Sequence, residues 1–135
     1  MALPHHLHQP GDRFALDIPP DPAFIGTARL FAASIARSFR FPEESVDDIK
    51  LAVSEACGYL MVTAPGPLAV LVEQLDARLT FNISTTPSPT AEAPVHEASL
   101  GLEVIGALFP DAGSTSDPPT ITFSVPLERE PPGSG

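Results

Sequence analysis

Hydrophobic residues recur along this chain either at helical spacing or in the two-residue alternation of β-strands. The strongest helical pattern lies at residues 42–63, and it opens with residues that place acceptors and negative charge near unpaired helix N–H groups. These opening residues are Pro42, Glu43, Glu44, Ser45 and Asp48. The apolar residues that follow are Val46, Ile49, Val53, Ala56, Cys57 and Leu60. Because they form one stripe at about 100° per residue, they predict a helix with a single core-facing side.

The opposite side of this central helix mixes acidic and apolar residues. At the same pitch it carries Glu44, Asp48, Leu51, Glu55, Tyr59 and Val62. A side of that composition favours cover by a loop, a ligand or a partner over full exposure to water. Since Glu55 and Tyr59 lie one turn apart, we expect their side chains to point into the same space.

The remaining patterns place strands and two more helices around the central helix. In chain order they predict a strand at 14–18, a helix from Asp21 and Pro22 to residue 39, strands at 68–75 and 78–84, a helix at 98–109 and a strand at 120–127. The strands containing Phe14, Phe81 and Phe123 each have one apolar and one polar side, which indicates helices on one face only. The predicted fold is α/β (α+β), a two-layer sandwich whose mostly antiparallel sheet is covered on one face by three helices.

The connecting segments carry their own predictions. Asp76 and Ala77 predict the turn of a hairpin, although no glycine supports it. Residues 85–94 are rich in proline and predict a loop, and residues 111–118 predict a loop or a weak strand. The helix at 98–109 is apolar nearly all round, so we expect it to be buried.

Chain length indicates one folded domain with short ends. We expect a domain at residues 13–127, a flexible N-terminal tail at 1–12 and a C-terminal tail at 128–135. The N-terminal tail contains His5, His6 and His8, but no cysteine or acid at a usual spacing completes a metal site. We therefore expect no metal there.

Charge and cysteine content restrict the partners and the compartment. A net charge of −10 argues against direct nucleic-acid binding and favours a partner with a basic surface. No apolar run approaches the ~18 residues of a membrane span, and the N-terminus lacks a secretory signal. The single cysteine, Cys57, lies on the core stripe without a partner. We expect a cytoplasmic protein that does not insert into a membrane.

Two stretches resemble one known family. VDDIKLAVSEAC (residues 46–57) resembles the first nucleotide-site helix of the RsbW-type anti-sigma-factor serine kinases, which belong to the histidine-kinase-like (GHKL) ATPases. SLGLEVIGALFPD (residues 99–111) resembles the same family's glycine-rich box and the helix that it opens. The order of elements is similar over residues 13–127. The resemblance implies the histidine-kinase-like ATPase fold.

The resemblance also implies where a nucleotide site would lie. The family's first helix carries a glutamate that orients or deprotonates a water or hydroxyl, and an asparagine one turn later that holds Mg²⁺. Glu55 stands at the glutamate position, whereas Tyr59 stands at the asparagine position. A phenol is a poor Mg²⁺ ligand beside an amide or carboxylate oxygen, so Glu55 would be a vestigial base.

The other nucleotide-site positions are altered in the same way. Thr85 stands where the family has an adenine-reading aspartate, and Pro87 and Pro89 stand where it has two glycines. Proline lacks the N–H and the conformational freedom for which glycine is used. In the last box Ser99 replaces the first glycine, and Gly101 remains. The resemblance therefore implies a degenerate nucleotide site.

Three functions remain open at this point. The one we favour is a regulatory protein-binding module that resembles an anti-sigma factor, has no cofactor, and acts by partner switching with a sigma factor, a STAS-type antagonist protein, or both. The second is an active ATP-dependent serine/threonine kinase of the same family, which would require ATP and Mg²⁺. The third is a non-enzymatic module of this fold with another partner. The family also permits a homodimer, and the sequence identifies neither the partner nor the upstream signal.

Overall fold

The computed structural model describes residues 11–87 and 99–127, and these form three α-helices and one antiparallel sheet of five strands. The helices are α1 (Ile25–Ser38), α2 (Glu43–Thr63) and α3 (Ser99–Leu108). The strands are β1 (Arg13–Ile18), β2 (Leu68–Leu75), β3 (Arg78–Thr85), β4 (Gly113–Ser116) and β5 (Pro119–Pro126). The histidines at 5, 6 and 8, most of the proline-rich loop and the C-terminal tail lie outside the described residues. The domain boundaries at 13 and 127 stay a prediction.

The sheet has the strand order β1-β2-β3-β5-β4, and every neighbouring pair is antiparallel. Strand alternation turns one apolar row of each central strand towards the helices. The buried apolar members of these rows are Leu68, Val70, Val72, Leu79, Phe81, Ile83, Ile121 and Phe123. Phe81 lies opposite Phe123 in the β3–β5 register. The predicted α/β sandwich with a mostly antiparallel sheet is confirmed.

The core-facing stripe of α2 is buried along its whole length, as its spacing predicts. At the start of this helix, the Arg37 guanidinium of α1 donates hydrogen bonds of 3.0 and 2.9 Å to the two carboxylate oxygens of Glu43. The hydrogen bond from Arg37 lowers the pKa of Glu43. This exposed pair joins the end of α1 to the beginning of α2.

Two local predictions differ from the structure, and one open alternative is decided by it. Pro22 begins a short 3-10 helix (Pro22–Phe24), capped by Asp21, and α1 itself begins at Ile25. Of the loop or weak strand predicted at 111–118, the structure shows a short strand at 113–116. The prediction that the third helix is buried is wrong, because Leu100 and Glu103 are exposed and only one side of α3 packs on α2.

The β2–β3 hairpin closes through a left-handed residue. Asp76 has a φ of 54°, a conformation that aspartate tolerates better than most residues other than glycine. The predicted turn at Asp76 and Ala77 therefore forms without a glycine. Among the described helices, none is both long and apolar enough to cross a membrane.

The Cys57 thiol gives the fold a specific alkaline sensitivity. Burial raises the pKa of Cys57 from 9.0 to about 12. The unfolded chain releases this proton above pH 9, whereas the folded chain retains it. The contribution of the thiol to the free energy of unfolding is therefore fully present below pH 9 and is lost as the pH rises towards 12. We expect the free energy of unfolding to drop by about 1–1.5 kcal/mol between pH 7 and 10 from this group alone.

Urea unfolding at several pH values measures this effect. Cys57→Ala is the control, because it removes the thiol but leaves the other titrating groups. The slope of stability against pH above 9 should be shallower in Cys57→Ala. Identical slopes in the two proteins would contradict a buried, protonated thiol.

Candidate functional site

Glu55 and Tyr59 lie on α2 where the first turn of α3 packs against it. A Cβ atom added at Gly101 would lie 3.3 Å from both the backbone oxygen and Oε2 of Glu55, and 3.7 Å from Cβ of Tyr59. Gly101 is itself buried. The absence of a side chain at Gly101 therefore lets α3 approach α2 closely at these two residues.

A groove of about 250 Å³ follows the contact between α2 and α3, and we call it the helix groove. Its lining residues are Glu55, Gly58, Tyr59, Val62, Leu100, Gly101 and Val104. Glu55 is the one charged side chain among these residues. The helix groove is therefore mostly apolar and contains a single carboxylate.

A second groove of about 450 Å³ separates the last turns of α2 from strands β4 and β5, and we call it the strand groove. Its lining residues are Tyr59, Leu60, Thr63, Ala64, Ser114, Thr115, Ser116, Pro119, Thr120 and Ile121. Its volume is in the range of small-molecule sites, about 300–1,000 Å³. The described lining offers hydroxyl groups and apolar surface but no charge, and Tyr59 lies between the two grooves.

Thr85 does not reach either groove. It is the last residue of β3 and only 2% exposed, and its Oγ1 donates a hydrogen bond of 3.2 Å to the carbonyl oxygen of Ala64. The neighbouring Thr86 N–H donates to the carbonyl oxygen of Pro67 at 3.3 Å. Thr85 thus links the end of β3 to the loop after α2, and its hydroxyl already donates a hydrogen bond within the fold.

The other residues predicted for the nucleotide site are Pro87, Pro89 and Ser99, and the structure describes only some of them. Pro87 is exposed and lies two residues after the end of β3, and the backbone of Ser99 begins α3. Pro89 lies outside the described residues. The structure therefore brings Glu55, Tyr59 and Gly101 together, but it does not place Thr85 with them.

The hydroxyl-bearing wall of the strand groove was missed by the sequence predictions. It comes from Ser114, Thr115 and Ser116 of β4 and Thr120 of β5. The only signal was the run of small polar residues at 113–116, which predicts a loop as readily as a strand. Over residues 11–87 and 99–127, no three His, Cys, Asp or Glu side chains are placed to hold a metal ion.

The family of this chain follows from comparison with known sequences. The histidine kinase-like ATPase domain matches residues 18–122, which is most of the chain. The chain belongs to this family. α2, with Glu55 and Tyr59, and α3, with Gly101, both lie inside the matched residues, so the predicted family membership and fold are confirmed.

Curated relatives of this histidine kinase-like ATPase domain match over shorter segments. The chain is 40% identical over 45 residues to the serine-protein kinase RsbW of Oceanobacillus iheyensis, covering 33% of this chain and 28% of the relative. It is 35% identical over 46 residues to RsbW of Bacillus velezensis, covering 34% and 29%. It is 35% identical over 51 residues to RsbW of Halalkalibacterium halodurans, covering 38% and 31%. The chain thus spans less than a third of the length of these relatives.

Proposed function

We propose that this chain is a regulatory protein-binding module of the anti-sigma type that has lost most of its nucleotide site. The observation that carries the proposal is the position of Tyr59. Its phenol lies between the two grooves, at the position where the family resemblance implies a Mg²⁺-binding asparagine. A phenol is a poor substitute for the amide oxygen in a magnesium site.

The donor set around Tyr59 supports this proposal. ATP bound with Mg²⁺ needs oxygen ligands for the metal and cationic side chains for the phosphates. The described lining of the helix and strand grooves contains one carboxylate, Glu55, and no lysine or arginine. Since these residues do not fit magnesium-bound ATP, we derive no phosphoryl-transfer step for this chain.

The proposed partners are proteins, in a cytoplasmic setting. The similarity to proteins named serine-protein kinase RsbW supports a sigma factor, a STAS-type antagonist, or both in exchange. The net charge of −10 supports partners with basic surfaces, because complementary charge speeds encounter and sets specificity. A homodimer is compatible with this function.

The volume of the strand groove, unlike the chemistry of its lining, suits a second candidate function. The groove has the volume of a small-molecule site, and it adjoins Tyr59 within one turn of Glu55. If this groove holds ATP, the chain would be a serine/threonine protein kinase with Glu55 as the base. A third candidate is a module whose partner lies outside the sigma-factor system. Like the proposed protein-binding module, it would have no catalytic activity.

Calorimetry with ATP and Mg²⁺, and separately with ADP, tests the proposed function. We expect no binding heat and no rise in melting temperature at millimolar nucleotide. Tyr59→Asn should not restore binding, because Thr85 is buried and its hydroxyl is bonded to Ala64. Micromolar binding by the natural chain would overturn the proposal. Phosphotransfer by that chain, abolished in Glu55→Gln, would establish the kinase.

A further inference from the structure

A strip of exposed apolar residues and exposed or half-buried acidic residues runs along α2 and across to α3. Leu51 and Val62 of α2 are 43% and 47% exposed, and Leu100 of α3 is 64% exposed. Val62 and Leu100 line the helix groove together with Glu55. We call Glu44, Asp48, Leu51, Glu55, Val62 and Leu100 the acidic-apolar strip. Its α2 members share one side of the helix at about 100° per residue.

The acids of this strip are not neutralised within the described part of the chain. The ion pairs there join Arg37 to Glu43, Lys50 to Asp47 and Arg78 to Asp111, and none of them includes a strip residue. Glu44, Asp48 and Glu55 have no basic partner among the described residues. Three carboxylates therefore accompany an exposed apolar row without an ion-pair partner among the described residues.

We propose that the acidic-apolar strip docks an amphipathic helix of a protein partner, with leucine-like residues on one side and lysine or arginine beside them. This proposal rests on the proposed function as a protein-binding module and names the binding surface. A partner helix would place apolar residues against Leu51, Val62 and Leu100, in the manner of helix-in-groove recognition. A cation on the partner would meet Glu55, which lies between Leu51 and Val62 along α2.

The dimensions of the strip suit one helix of moderate length. Leu51 and Val62 are eleven residues apart in α2, which corresponds to roughly 16 Å or three helical turns at 1.5 Å per residue. A partner helix of about three to four turns would cover that distance. The strip therefore selects a short helical segment.

A second copy of this chain is a weaker occupant of the strip. In a two-fold symmetric contact the same surface meets itself, so the carboxylates at Glu44, Asp48 and Glu55 would face each other. Like charges in a contact oppose association. Charge complementarity thus favours a basic partner over self-association.

Titration with designed peptides tests the docking site. The probe is an amphipathic peptide of about 18 residues with leucines at helical spacing, lysines elsewhere, and no tyrosine or tryptophan. Tyr59 is the sole tyrosine and the chain has no tryptophan, so its fluorescence reports directly from the helix groove beside calorimetry. We expect the lysine peptide to bind and the same peptide with glutamate for lysine not to bind. Added salt should weaken binding.

Matched variants locate the binding surface. Leu100→Ser should raise the dissociation constant of the peptide by about tenfold. Leu30→Ser is its control, because Leu30 on α1 is 66% exposed, almost the same as Leu100. The double variant Asp48→Asn, Glu55→Gln should bind more weakly and show a smaller salt dependence, whereas Asp17→Asn on β1 should behave as the natural chain.

Several results would overturn the docking site. These are equal losses in Leu30→Ser and Leu100→Ser, equal binding of the lysine and glutamate peptides, or no binding of either peptide. A fall in sedimentation mass caused by Leu100→Ser would assign the strip to self-association instead. The two proposals fail in different experiments. Binding of ATP would contradict the proposed function as a module without a nucleotide site, whereas failure to bind the peptide would contradict only the docking site.

Discussion

Phe123→Ala is expected to lower the free energy of unfolding by about 3–5 kcal/mol. Phe123 is 1% exposed and lies at the centre of the core. Its ring stacks on Phe81 of β3 at a centroid distance of 4.9 Å and on Phe109, after α3, at 4.7 Å. Alanine would leave a cavity and remove both aromatic contacts. Urea unfolding followed by circular dichroism measures the loss.

Two further phenylalanine variants make this result specific. Phe123→Leu should cost less than Phe123→Ala, because most of the volume remains. Phe24→Ala is the exposed control, since Phe24 lies in the 3-10 helix and keeps 39% of its surface in water. A cost for Phe24→Ala equal to that of Phe123→Ala would contradict the central position of Phe123.

The position of this aromatic stack was only partly predictable from the sequence. Two-residue alternation identified Phe81 and Phe123 as residues of the apolar sides of strands. Their stacking depends on the β3–β5 register, which pairs them directly across the sheet. Alternation sets the side of a strand but not the strand beside it, so the contact could not be predicted.

The differences between prediction and structure have physical causes. β4 carries exposed, small polar residues without alternation, and its strand conformation comes from pairing with β5. The apolar composition of α3 suggested burial on all sides. Apolar composition shows that a helix tends to be buried, but it does not show whether another element packs on each of its sides. The exposure of Leu100 could therefore not be predicted from the sequence.

The candidate site, like the fold, was predictable from the sequence only in part. Helical spacing placed Glu55 and Tyr59 one turn apart, and both line the helix groove. The strand groove depends on how far β4 and β5 stand from the last turns of α2, a tertiary distance that no local pattern contains. Thr85 was assigned to a loop from its proline-rich surroundings, but it ends β3 and is buried.

Gly66→Ala is expected to lower the free energy of unfolding by about 2–3 kcal/mol. A Cβ atom at Gly66 would collide with the carbonyl oxygen of Thr86, and it would lie 2.9 Å from the carbonyl carbon of Thr86 and 3.1 Å from Cα of Pro87. These are backbone atoms, which cannot rotate away as a side chain can. The strand end must therefore move, which strains the hydrogen bonds that Thr85 and Thr86 make to the loop after α2.

The effect of Gly66→Ala should extend to the candidate site. The loop that contains Gly66 follows the last turn of α2, where the Thr63 hydroxyl donates a 2.8 Å hydrogen bond to the carbonyl oxygen of Tyr59. We therefore expect a lower melting temperature together with altered Tyr59 fluorescence. Gly113→Ala is the control, because nothing lies within 4 Å of its added Cβ atom. Equal melting temperatures for the two variants would contradict the close approach of β3 to this loop, and with it the support that the fold gives to Tyr59.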